Sequence, residues 1–111
     1  MKQMTPDAAA ETAALIADLW QRNLPVLRER LDVLDRIAAA STAGPLSQED
    51  REQGTAISHK FAGSLGMYGY RRGTEIATQL DELFRSSLSI EPERLLSLTY
   101  ELRESVFPSQ S

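Results

Sequence analysis

The chain has 111 residues, enough for one domain with a single core and little besides. Hydrophobic residues at 41% and charged residues at 25% give an ordinary globular balance and exclude a disordered chain. Lys+Arg 12 against Asp+Glu 16 leaves a net charge of -4, the wrong sign for a general nucleic-acid binder, and the count of 0 cysteines excludes a disulfide framework, a thiol nucleophile and a cysteine-ligated metal.

The N-terminal segment opens with Thr5-Pro6-Asp7, a cap hydroxyl, a first-turn proline and an early acid. Leu15, Ile16, Leu19 and Trp20 then share one side of a helix, and Leu24, Leu27, Leu31, Leu34 and Ala38 step by three and four through the next stretch. Pro25 predicts a break or kink around Asn23, which separates an N-terminal helical segment over about 6–23 from a bundle over about 24–107. Ser41-Thr42-Ala43-Gly44-Pro45 is the clearest turn signal. Ser47 with Asp50 three residues on forms a variant capping box for a helix from about Gln48 to Tyr68, with Gly69 as its left-handed stop.

A further helix carries Ile76, Leu80, Leu83 and Phe84 and fades in Ser86-Ser87. The last starts near Ile90-Glu91-Pro92 and buries Leu95, Leu98, Leu102 and Val106 before Pro108. Trp20, Tyr68 and Phe84 read as core aromatics. No segment alternates with period two, so the expected fold is all-α: an antiparallel up-and-down four-helix bundle with an additional N-terminal helical segment, all within one domain spanning 1–111.

The helix from Gln48 breaks the usual rules. Gly54, Gly63 and Gly66 lie inside it, and each costs about 1 kcal/mol relative to alanine, a sizeable part of a domain stability of roughly 5–15 kcal/mol. Something there needs space. On a 3.6-residue wheel, Ile57, Phe61, Ser64, Leu65 and Tyr68 gather toward the core, and His59 faces the opposite way. Ala62, Gly63 and Gly66 flank it, with Thr55 and Ala56 one turn before and Lys60 to one side. Ser64, turned inward, is expected to bond a carbonyl one turn back.

His59 is the chain's single histidine, so a two-histidine metal site is excluded and no second metal ligand can be named. As a general base it lacks, in sequence, both a nucleophile to activate and an orienting carboxylate. No GxxxxGK[ST] is present, so no nucleotide cradle is visible. Two readings of His59 stay open: an ordinary solvent-facing residue, or a nucleophile that attacks a phosphoryl group presented by another protein.

The stretch Ser58-His59-Lys60-Phe61-Ala62-Gly63-Ser64-Leu65-Gly66-Met67-Tyr68-Gly69-Tyr70 resembles the signature of histidine-containing phosphotransfer domains. That signature runs histidine, a Gly-Ser or Gly-Ala pair four and five positions on, and glycine ten positions on; His59, Gly63, Ser64 and Gly69 match it. Many members carry lysine three positions after the histidine, where this chain has Ala62; Lys60 resembles a variant written His-Lys-Leu-Ala-Gly-Ser-Leu-Gly. The resemblance implies a bundle that carries a phosphoryl group on His59 and exchanges it with an aspartate of a response-regulator receiver domain. Lys60, whose flexible stem can bring an ammonium to a phosphoryl oxygen, is a candidate to steady that group, and Thr55, Ala56, Ala62, Gly63, Gly66 and Met67, placed around His59, are candidates for the docking face. The resemblance also implies Mg²⁺ on the receiver, with no cofactor or metal of the chain's own.

A solvated imidazole titrates near ~6.5, which leaves a neutral, nucleophilic fraction at cytoplasmic pH. Expected partners are a receiver domain, a sensor histidine kinase, or both, with the chain itself a monomer inert toward ATP alone. Arg71 and Arg72, at a helix start, are candidates to meet an acidic receiver surface. The alternative is a helical adaptor that binds a receiver or kinase without being phosphorylated. Apolar runs too short to span a bilayer, and no apolar signal core, lead to an expectation of cytoplasmic location without export.

Overall fold

The computed structural model describes residues 6–86 and 88–109. Four helices follow in order: α1 (Pro6–Ser41), α2 (Gln48–Ser64), α3 (Arg71–Arg85) and α4 (Pro92–Val106). A single 3-10 turn, Leu65–Tyr68, extends α2. The described residues contain no strand. No helix among them is long and apolar enough to cross a membrane.

Inter-helix side-chain contacts set the direction of each pair. Arg36 of α1 bonds Asp50 and Gln53 near the start of α2, whereas Asn23 reaches Tyr68 at its far end. Gln79 of α3 takes a bond from Arg94 of α4, and Arg72 pairs with Glu101. Arg28 lies over the Phe107 ring, and Asp32 and Asp35, further along α1, hold Arg103. In every pair, rising numbers on one helix meet falling numbers on the other. The bundle therefore runs up and down, as short connections between amphipathic helices require.

The core between them contains Leu27, Leu31, Leu34, Ile37, Phe61, Leu65, Ile76, Leu80, Phe84, Leu95, Leu98 and Leu102, all buried. The expected buried set of α4, Leu95, Leu98, Leu102 and Val106, is met in full. Phe84 is central, whereas Trp20 and Tyr68 are half-buried in a side cluster where Trp20 stacks on Tyr70 and Phe107.

The break expected at Asn23 is absent: α1 continues through Pro25 as one helix of 36 residues. Pro25 removes one backbone donor, but it and Gln21, whose carbonyl loses the bond, are both exposed, so water can serve instead. Asn23 Nδ2 donates to the Leu19 carbonyl at 2.9 Å, and Trp20 anchors the helix to the bundle. Packing on both sides of the proline thus overrides the local signal. At 1.5 Å per residue α1 is about 54 Å long, roughly twice its neighbours, so the additional N-terminal segment is the projecting first half of one rod. Leu15 and Leu19 on that half stay exposed.

The turn signals are obeyed. Ser47 caps α2 by accepting from the Asp50 amide at 3.1 Å, while the Asp50 carboxylate turns to Arg36 rather than completing a reciprocal box. Gly69 adopts φ 85°, and Gly69 and Tyr70 amides return to the Gly66 and Leu65 carbonyls, which closes the helix. Of the start and stop signals named above, Thr5 and Ser87 lie outside the described residues.

Candidate functional site

The α2–α3 pair is the most extensive helix contact and sets the site. Its register can be followed from glycine to glycine. A Cβ built on Gly54 would meet the Phe84 ring, one on Gly73 would meet Leu65 Cδ1 at 3.0 Å, and one on Gly66 would lie 3.7 Å from Thr74 Oγ1. Climbing α2 from 54 to 66 thus descends α3 from 84 to 74. The same register brings Asp81 opposite His59.

His59 stands on the outer face of α2, its side chain 73% exposed. Its Nδ1 is 3.7 Å from Oδ2 of Asp81, a carboxylate only 17% exposed. The other carboxylate oxygen, Oδ1, accepts a 2.7 Å hydrogen bond from Arg85 Nε one turn further along α3. A groove runs from the imidazole toward the start of α2, with Gln48, Glu52, Thr55, Ala56 and Arg85 along its sides. Arg51 also lines the groove, donating from Nη1 to the Phe84 and Ser86 carbonyls at 3.0 and 2.9 Å and from Nη2 to the Leu88 carbonyl at 3.0 Å.

Thr55 and Ala56 share this groove with His59, and the Thr55 hydroxyl is engaged with the Arg51 carbonyl at 2.8 Å. Gly63 is exposed with nothing within 4 Å of an added Cβ. Gly66 is exposed beside Thr74, and Met67 is 58% exposed where the 3-10 turn carries the face onward. Ala62 is half-buried and packs against the core, so it borders the bare face rather than lying on it. Lys60 is exposed, with no ion pair among the described residues.

Three expectations need correction. Gly54 does not provide open space on the surface, and core packing accounts for it: it is buried, and its missing side chain makes room for Phe84. Ser64 is half-buried facing α1, and its hydroxyl makes no bond to a carbonyl one turn back among the described residues. A carboxylate does lie near His59, since Asp81 Oδ2 on the neighbouring helix is 3.7 Å from Nδ1. Asp81 and Arg85 were not visible as site residues because they lie far along the chain; the available signal was the socket of Gly54 for Phe84, which fixes the register. Arg71 and Arg72 do begin α3, but both engage Glu75, and Arg72 also Glu101. Among the described residues, no three His, Cys, Asp or Glu side chains gather as a metal site.

Chemically, the arrangement is an exposed imidazole with Nδ1 3.7 Å from a sheltered carboxylate, on a face cleared of bulk at Gly63. A family model described as Hpt domain matches residues 18–106. The chain is also 24% identical over 87 residues to Protein RcaC of Microchaete diplosiphon, an alignment that covers 78% of this chain and 13% of that protein. The chain thus spans about an eighth of the length of that relative. No solved structure gives a significant match.

Proposed function

The chain belongs to the Hpt domain family, and on that premise we propose that it is a histidine phosphocarrier of a two-component relay, with His59 as the carrying residue. The observation that carries this reading is the placement of His59: its side chain is 73% exposed, and the next turn of the same face is Gly63, with open space around it. A solvent-facing histidine with no partner to meet has no need of that clearance.

The donor and acceptor in this reading is an aspartate of a receiver domain. The Nε2 lone pair attacks phosphorus of the aspartyl phosphate in line; the N–P bond forms as the P–O bond breaks, and the electrons of that bond stay on the receiver's carboxylate. A Mg²⁺ ion bound by the receiver would supply positive charge to offset that of the transferring phosphoryl group. This chain contributes the nucleophile, the cation of Lys60 one residue along, and a surface over which the receiver's loops close. Thr55, Ala56, Gly63, Gly66 and Met67 form that surface, with Ala62 at its edge. A bulky side chain at position 63 would hold the two proteins apart, and in-line attack needs reacting atoms within about 3–3.5 Å.

The test is to mix the chain with a phosphorylated receiver, or with a kinase and ATP, and recover a phosphoryl adduct that is labile in acid. The adduct is expected on the parent chain and absent from His59→Gln. Binding of the receiver without any adduct would establish the adaptor reading instead.

A further inference from the structure

The Asp81 carboxylate has its two oxygens divided between two partners: Arg85 Nε on Oδ1 at 2.7 Å and the His59 ring facing Oδ2 at 3.7 Å. We infer that Asp81, held in place by Arg85, is a positioning residue that keeps the His59 proton on Nδ1 and so makes Nε2 the atom that carries the phosphoryl group. The inference rests on the phosphocarrier reading for its consequence, but its first half concerns only where the ring's proton sits.

The physical argument begins with the acceptor. An ionised carboxylate only accepts hydrogen bonds, so a bare ring nitrogen facing it would set two lone pairs against each other, whereas an N–H facing it is attracted. Arg85 fixes the carboxylate by a charge-assisted bond, and Asp81 is sheltered between α2 and α3, so its direction does not depend on solvent. The exposed ring needs only a small rotation to bring Nδ1–H from 3.7 Å into hydrogen-bond range.

The same contact acts during transfer. When Nε2 gives its electron pair to phosphorus, the ring keeps its Nδ1 proton and acquires positive charge as the receiver's aspartate leaves with the electrons of the P–O bond. That charge develops beside Asp81, which stabilises it. Arg85 balances the carboxylate, so the incoming phosphoryl group does not meet an uncompensated anion.

The test uses the full chain labelled with ¹⁵N in histidine. Long-range proton–nitrogen correlation spectra, recorded where the imidazole is neutral, report which nitrogen bears the proton. The parent should show Nδ1–H; Asp81→Asn, whose carbonyl still accepts, should keep it; Asp81→Leu should lose it in favour of Nε2–H. Phosphorylation by the small donor phosphoramidate, which needs no docking face, should fall less in the Asn variant, which keeps the tautomer and loses only the carboxylate's charge, than in the Leu variant. It should fall by about tenfold in the Leu variant, the factor expected for one lost hydrogen bond to a charged group. In the parent, ³¹P–¹⁵N coupling should place phosphorus on Nε2. Nε2–H in the parent, or an unchanged tautomer and rate in Asp81→Leu, would overturn the inference. A tautomer that follows position 81 in a chain that no donor phosphorylates would support the hold of Asp81 on the ring and sink the phosphocarrier reading.

Discussion

Gly54 is the socket for Phe84: a Cβ added at position 54 would lie 2.5 Å from the Phe84 Cζ and 2.7 Å from its Cε1. The ring is buried and 2% exposed, so it has no free direction in which to retreat. Gly54→Ala should therefore destabilise the bundle by about 1–3 kcal/mol from overpacking, despite alanine's better helix propensity. Urea unfolding followed by circular dichroism checks this through a lower midpoint at an unchanged slope.

Gly63 predicts the opposite sign. Its surroundings are open, so Gly63→Ala should raise stability by about 0.5–1 kcal/mol, the ordinary helix-propensity gain. Gly63→Leu should also fold, yet phosphotransfer with a receiver should be blocked because the partner can no longer close on His59. Undiminished transfer in the leucine variant, measured beside an unaltered circular dichroism spectrum, would remove the steric argument.

Ser58, next to the site residue but turned the other way, is fully buried, and its Oγ has no hydrogen-bond partner among the described residues. A buried hydroxyl left unpaired costs about 1–3 kcal/mol. Ser58→Ala should raise the thermal midpoint by a few degrees and leave phosphoryl acceptance unchanged. A lower midpoint would mean that the hydroxyl is satisfied.

Arg51 ties the end of α3 to α2 through three carbonyls, those of Phe84, Ser86 and Leu88. Arg51→Met keeps the aliphatic stem and removes the donors. It should cost about 1–3 kcal/mol, in the range for hydrogen bonds to a charged group. Backbone amides in the α3–α4 connection should lose hydrogen-exchange protection before the core does, which distinguishes this loss from global unfolding.

Much of this architecture was legible in the sequence because its punctuation is chemical. Gly69 stops the α2 rod with a left-handed residue, Pro92 starts α4, and Ser47 caps α2, each by a local bond or dihedral that residue type dictates. The outward direction of His59 follows from helical period alone. Pro25 misled because its local preference is weaker than the contacts of Trp20 with Tyr68, Tyr70 and Phe107. Asp81 and Arg85 were out of reach for a different reason. A helical wheel says which residues flank the core stripe of α3, but the pairing of His59 with Asp81 depends on the register and handedness of α2 against α3. The glycine at 54 shows how such a register could be read: an interior glycine opposite a large aromatic is a packing socket, whereas one beside an exposed histidine is clearance. Composition treats the two alike, and only the neighbouring helix tells them apart.

The most direct measurement is ³¹P spectroscopy of the chain titrated with a phosphorylated receiver and then with excess unphosphorylated receiver. A phosphohistidine resonance should rise in the first step and return to the aspartyl pool in the second, and neither change should occur with His59→Gln. A parent chain that stays unphosphorylated throughout, while its amide signals around Gly63 shift on receiver binding, would contradict the carrier and leave a docking module in its place.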